Sequence, residues 1–104
     1  MIPNILSIAG SDPSGGAGIQ ADIKAISANG GYAMAALTGL TAQNTTGVQG
    51  VDMVAPAMIA QQIASLRADI RIDAVKIGML GDARTIETVA KALEGLDAPV
   101  VLDP

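Results

Sequence analysis

Cysteine, histidine, tryptophan and phenylalanine are all missing from this chain of 104 residues, and Tyr32 is its only aromatic side chain. Their absence excludes disulfides, zinc-finger spacings, Cys–His nucleophile pairs and a histidine general base. Chemistry must come from carboxylates, amides, lysine or backbone groups. Charge is sparse and leans acidic, with six Lys and Arg against ten Asp and Glu, a net of −4. Nucleic-acid readers rely on basic surfaces and aromatic stacking platforms, so nucleic acid is not an expected partner. No apolar run approaches the roughly 20 residues of a membrane span, and the amino terminus lacks the basic flank and long apolar region of a secretory signal. A soluble cytoplasmic protein with no membrane partner is expected, and no linker, repeat or like-charge block divides the chain.

What is present is aliphatic. Half of the chain is hydrophobic, nearly all of it Ala, Ile, Val, Leu and Met, which is enough to pack the core of one domain. Apolar runs of strand length recur at Ile5–Ala9, Ala33–Leu40, Ala74–Ile77 and Val100–Leu102. They lack polar alternation, as strands covered on both faces do. Helical stripes lie between them: Ile19, Ile23 and Ile26, stopped by Gly30-Gly31; Ile59, Ile63, Leu66 and Ile70 after Pro56; and Ile86, Val89, Ala90 and Leu93 after Asp82, a suitable N-cap. Strands alternating with amphipathic helices predict a three-layer α/β/α sandwich with a mainly parallel sheet. The segment 45–54 fits neither period and is expected to form a short strand or flap. Asp103-Pro104 follow the last strand with no helix to cover it, so residues 1–104 are expected to be the amino-terminal portion of a longer single domain, truncated after about four strands. The alternative is a true edge strand, or one that pairs with a second subunit in a homodimer.

The richest local signal is the loop Gly10-Ser11-Asp12-Pro13-Ser14-Gly15-Gly16-Ala17-Gly18, between the first strand and the first helix, with four glycines in nine residues. Such density suits a chain that turns sharply or lets another molecule approach closely. It is also compatible with plain turn chemistry in which Asp12 or Ser14 caps the helix. It is not a phosphate-cradling P-loop, because Gly16 follows Gly15 where that motif needs lysine. Gly16–Ala21 matches the relaxed dinucleotide pattern, but no acidic residue follows at the end of the second strand, leaving that reading weak.

In a parallel sheet, ligands sit beyond the carboxyl ends of the strands. Those positions hold the glycine loop, then Thr41-Ala42-Gln43-Asn44-Thr45, then Gly78-Met79-Leu80-Gly81, then Asp103. This mixture of an amide, backbone N–H groups, a thioether and a carboxylate suits a small, flat organic molecule with polar edges. Gln43 stands out, because a side-chain amide can read a heterocycle edge that presents an acceptor beside a donor. Alternatively, Gln43 or Asn44 ties the loop to its own backbone. Met79 is either core packing or a ligand contact, and Asp22 either serves the helix dipole or faces the ligand. Lys76 interrupts a buried strand and is expected to be structural, its stem carrying the ammonium to a wet edge. Asp103 is a candidate for Mg²⁺ or a turn residue.

The blocks Ser7–Asp22, Leu40–Thr45, Lys76–Leu80 and Val101–Pro104, in this order, resemble the hydroxymethylpyrimidine/phosphomethylpyrimidine kinases of thiamine biosynthesis, in the ribokinase superfamily. The resemblance runs the whole length. It implies ATP- and Mg²⁺-dependent phosphorylation of 4-amino-5-hydroxymethyl-2-methylpyrimidine and then of its monophosphate. By the same resemblance, Gln43 matches the pyrimidine-recognising glutamine; Asp22, Ala17, Gly10 and Met79 match positions lining the pyrimidine pocket; and Asp103 matches a carboxylate near metal and phosphates. Thr41 stands where some members have a branched aliphatic residue. It further implies that the catalytic residue, the anion-hole loop and most of the ATP pocket belong to a carboxyl-terminal half. No catalytic residue is therefore expected among these 104, which alone should bind weakly and turn nothing over. The alternatives are a pyridoxal or pyridoxine kinase of the same superfamily and a non-catalytic pyrimidine-binding module.

Overall fold

The computed structural model describes residues 1–103; Pro104 lies outside the described residues. Strand β1 (Asn4–Ala9) leads through the glycine loop into helix α1 (Gly18–Ala28) and returns as β2 (Tyr32–Leu37). A hairpin of β3 (Gly39–Asn44) and β4 (Gly47–Met53) precedes α2 (Pro56–Asp69), β5 (Ala74–Ile77), α3 (Ala83–Ala92) and β6 (Val100–Leu102). The sheet runs β2-β1-β5-β6, and all three of its pairings are parallel. The expected parallel α/β architecture is present.

Period-2 alternation in β1 assigns the two faces of the sheet. Leu6 and Ile8 are fully buried against Ile59 and Ile63 of α2, Val89 of α3, and Val75 and Ile77 of β5. Ser7 points to the opposite face, where α1 lies, and hydrogen-bonds Asp22 of that helix. One helix on one face and two on the other bury both sides of the central strand, which is why β1 reads as apolar throughout Ile5–Ala9 apart from Ser7. Pro56 occupies the first turn of α2, where a missing N–H costs nothing. Asp82 caps α3 by accepting from the Thr85 N–H at 2.8 Å. Arg67 of α2 donates to the carbonyls of Ala92 and Glu94, both at 2.8 Å, and so satisfies acceptors left over at the end of α3. At the outer edge of the sheet, the Gln62 amide acts as a short strand: it accepts from Leu37 N–H at 2.9 Å and donates to Leu37 O at 3.0 Å.

Three sequence expectations change. The apolar run Ala33–Leu40 is two strands rather than one, because the chain leaves the parallel sheet at Thr38. There the Thr38 N–H still bonds Ala9 O, while Thr38 O already accepts from Val54 beyond the hairpin. Residues 41–44 are consequently strand, not loop, and the segment 45–54, expected as a short strand or flap, supplies the hairpin turn and its return strand. On α3 the buried stripe is rotated by one position: Thr85 and Val89 are buried, whereas Ile86 is exposed. Neither Asp12 nor Ser14 caps α1, whose N-cap is Ala17 with no side-chain bond.

The rotated stripe is directly testable. Ile63→Ala should cost about 2–5 kcal/mol, as truncation in a closed core does, and Ile86→Ala less than about 0.5 kcal/mol. Denaturant midpoints of the two variants measure the difference, and comparable losses would contradict the packing described.

Candidate functional site

Serine 11 determines what stands over the strand ends. Its N–H donates to Gly39 O at 3.0 Å, its hydroxyl accepts from Thr41 N–H at 3.0 Å, and its carbonyl accepts from Thr41 Oγ1 at 2.8 Å. These three bonds fasten the start of β3 to the tip of β1 and hold the hairpin above the carboxyl edge of the sheet. The loop beneath is shaped by Asp12, whose carboxylate accepts from Ser14 N–H (2.9 Å), Ser14 Oγ (2.7 Å) and Gly16 N–H (3.1 Å). The Ser14 hydroxyl above all, with the loop amides, holds the Asp12 pKa below its ordinary 3.8. Helix α1 starts hard against the strand it follows. A Cβ at Gly18, where φ is +61°, would run into the Gly10 carbonyl, whose oxygen accepts from Ile19 N–H at 3.0 Å.

Between the strand tips and the hairpin lies a cavity of about 420 Å³, within the usual range for a small organic ligand. Gly10, Ala17, Gly18, Gly78 and Met79 line it from the sheet side; Thr41, Gln43, Val48, Val51 and Met53 line it from the hairpin; Lys76 and Asp103 add charge. Of the residues singled out in the sequence, Gly10, Ala17, Gln43, Met79 and Asp103 meet here, while Asp22 is not among the lining residues. Met79 is 81% exposed, so its thioether packs into no core and is available at the cavity rim. Thr41 Oγ1 is 3.2 Å from Gln43 Oε1, but its single proton serves Ser11 at shorter range, which leaves the Gln43 amide for a ligand. Asn44, by contrast, is used locally: its Oδ1 accepts from Thr46 N–H and Oγ1 in the hairpin turn.

Lysine 76 carries its ammonium to the cavity edge, where it is paired. It lies in register with Ser7 on the α1 face of the sheet, and its ammonium is 2.9 and 3.1 Å from the two Asp22 carboxylate oxygens. Ser7 Oγ donates to the same Asp22 carboxylate at 2.6 Å. Asp103 stands 3.6 Å from Lys76 with its side chain 65% exposed. Sequence reading missed Lys76 as a cavity residue, and the available signal was a pair of lone polar residues in two adjacent apolar strands. It missed the hairpin's Val48, Val51 and Met53 because the short strand expected there was not foreseen to pair with residues 39–44 over the cavity. Among the described residues no group of three or more acidic or histidine side chains could enclose a metal ion, and no helix is long and apolar enough to cross a membrane.

A parallel sheet flanked by helices, with a cavity beyond its carboxyl edge, is an α/β architecture of the ribokinase-like class, and solved structures agree. Phosphomethylpyrimidine kinase from Clostridium difficile 630 superposes with a TM-score of 0.93 at 45% identity, covering 98% of this chain and 45% of that one. Pyridoxal kinase from Staphylococcus aureus, in complex with AMP-PCP, does so with a TM-score of 0.89 at 34% identity, covering 100% and 38%. Residues 12–104 match the family described as phosphomethylpyrimidine kinase, and the chain belongs to that family. It is 52% identical over 101 residues to the hydroxymethylpyrimidine/phosphomethylpyrimidine kinase of Escherichia coli K12, covering 96% of this chain and 38% of that protein. It is 50% identical over 103 residues to a thiamine biosynthesis multifunctional protein of Corynebacterium glutamicum, covering 98% of this chain and 14% of that protein. The chain thus spans well under half the length of these relatives.

Two outcomes follow from the loop. Gly18→Ala should lower the melting temperature and abolish ligand binding together, because the strained residue meets backbone that cannot move aside; unchanged melting would contradict the close approach. Asp12 is more acidic folded than unfolded, so its stabilising contribution is complete above pH 3.8 and is lost as the pH falls through the lower folded value. Asp12→Asn should therefore show a smaller loss of stability on acidification than the parent in parallel acid titrations followed by circular dichroism.

Proposed function

We propose that the protein carrying this chain transfers phosphate from ATP to the hydroxymethyl group of 4-amino-5-hydroxymethyl-2-methylpyrimidine, and then to the monophosphate so formed, as a step of thiamine biosynthesis in the cytoplasm. The observation that carries this reading is the free Gln43 amide facing a ring-sized cavity shared with Gly10, Ala17 and Met79. An amide's adjacent donor and acceptor complement an amino group beside a ring nitrogen, and the Met79 thioether offers a soft apolar contact for the ring. The names of the relatives, with the ATP analogue bound to the Staphylococcus aureus kinase, support ATP as the phosphate donor. Mg²⁺ fits the donor set in one way only. A lone carboxylate, Asp103, suits an ion shared with phosphates and water, not one caged by protein. That ion would neutralise charge on the transferred phosphate, and Asp103 would supply one oxygen to it.

Residues 1–104 are read as the amino-terminal part of a single kinase domain. Phosphoryl transfer depends on positioning and on charge stabilisation around the transferred group, and the described residues offer chiefly a ring-binding half of such a site. By themselves they should bind the pyrimidine weakly and turn nothing over.

The test is phosphorylation of the aminopyrimidine and of pyridoxal by the full-length protein with ATP and Mg²⁺. The aminopyrimidine should be preferred, and Gln43→Ala should lower its kcat/KM by at least about tenfold while affecting pyridoxal less, since two hydrogen bonds specific to the aminopyrimidine edge are removed. Preference for pyridoxal, or an equal loss for both rings, would overturn the assignment.

A further inference from the structure

An aminopyrimidine has two ring nitrogens, and the Gln43 amide can satisfy only the edge that holds one of them and the amino group. The other nitrogen is an acceptor that loses its water when the ring enters the cavity, so a donor must meet it or binding suffers. The polar side chains on the sheet side of the cavity are few. Ser11 is committed to the hairpin through both its hydroxyl and its backbone. Asp103 as a carboxylate only accepts. Lys76 remains.

Its geometry is that of a donor held in place. The ammonium stands beside Gly78, where a Cβ would lie 3.3 Å from Nζ and 3.0 Å from the Ala9 Cβ. The absence of a side chain at Gly78 leaves the tip of Lys76 uncrowded where it meets the cavity. Two of its three hydrogens can face the Asp22 oxygens at 2.9 and 3.1 Å, and Asp103 at 3.6 Å is beyond hydrogen-bond reach, so one N–H is left. Asp22 is in turn fixed by Ser7, which is completely buried. Because Asp22 already balances the charge, the remaining N–H meets the ligand as part of a neutral pair. It therefore suits an uncharged ring nitrogen better than a phosphate dianion.

We propose that Lys76 is a specificity residue that donates a hydrogen bond to the ring nitrogen not read by Gln43, and that Asp22 is a positioning residue acting through Lys76 without touching the ring. This rests on the aminopyrimidine reading above. It brings in Lys76, which sequence reading took as structural, and moves Asp22, which the resemblance places in the pocket lining, to a supporting position behind it.

The test is calorimetric titration of the full-length protein, without nucleotide, using the aminopyrimidine alcohol, its monophosphate, and two analogues that each replace one ring nitrogen by C–H. Lys76→Met should weaken the alcohol by about 10- to 100-fold, the range for a lost hydrogen bond to a charged donor. The parent protein should bind one analogue worse by a similar factor, and Lys76→Met should no longer distinguish that analogue from the alcohol. Asp22→Asn should weaken binding severalfold, yet add nothing in the Lys76→Met background. The double variant also removes the unpaired carboxylate that Lys76→Met leaves behind, so it serves where the single variant folds poorly. An effect of Lys76→Met confined to the monophosphate, additive losses, or retained discrimination between the analogues would each overturn the proposal. Failure of the unmodified protein to bind the alcohol would overturn the aminopyrimidine reading as well, whereas tight binding that Lys76→Met leaves intact would remove this inference alone.

Discussion

Three hydrogen bonds between Ser11 and the first residues of the hairpin hold the site together. They form because Ser11 is the second residue past β1, where a parallel sheet normally releases its chain to solvent. Instead its backbone and hydroxyl pair with Gly39 and Thr41, which extends the strand alignment of β1 and β2 beyond the sheet proper. Released from this attachment, a two-stranded hairpin whose second strand is exposed throughout would have little to keep it folded over the strand tips. The cavity exists because one serine converts a loose excursion into a roof.

The same economy recurs on the underside of the site. Ser7 and Lys76 sit side by side in neighbouring strands, on the face covered by α1, and Asp22 reaches down from that helix to both. A lysine in the middle of a parallel sheet is tolerable because its charge is met at once, and Gly78 leaves room for the ammonium at the strand tip. Stability and recognition draw on one group of atoms here, since the pairing that lets Lys76 be partly buried also aims it at the cavity.

The four strands of the parallel sheet and the three helices were legible because each depends on local pattern. β-branched and aliphatic runs, Gly30-Gly31 after the first helix, Pro56 at the start of the second and the Asp82 cap on the third all act within a few residues. The boundary at Thr38 was not legible. Nothing between Ala33 and Leu40 is a stronger breaker than Gly39, and what splits the run is a bond from a residue nearly thirty positions earlier. The face of α3 was misread for a related reason: Thr85 is buried beside its cap while the more hydrophobic Ile86 is exposed, a choice made by the packing of α2. At the site, Met79, Gly10, Ala17 and Asp103 converge from the segments that follow strands and Gln43 joins them from within β3, whereas Lys76 belongs to the cavity only through pairing between strands and helix.

The central claim is that one cavity, between the strand tips and the hairpin, receives the ring. Its most direct measurement is nuclear magnetic resonance of the full-length protein titrated with the aminopyrimidine alcohol in the absence of nucleotide. The account predicts that the Gly10 amide, the Gln43 side-chain amide and the Met79 methyl group shift together along one saturation curve. Saturable shifts confined to the α2 and α3 side of the sheet, with these three signals unmoved, would contradict it.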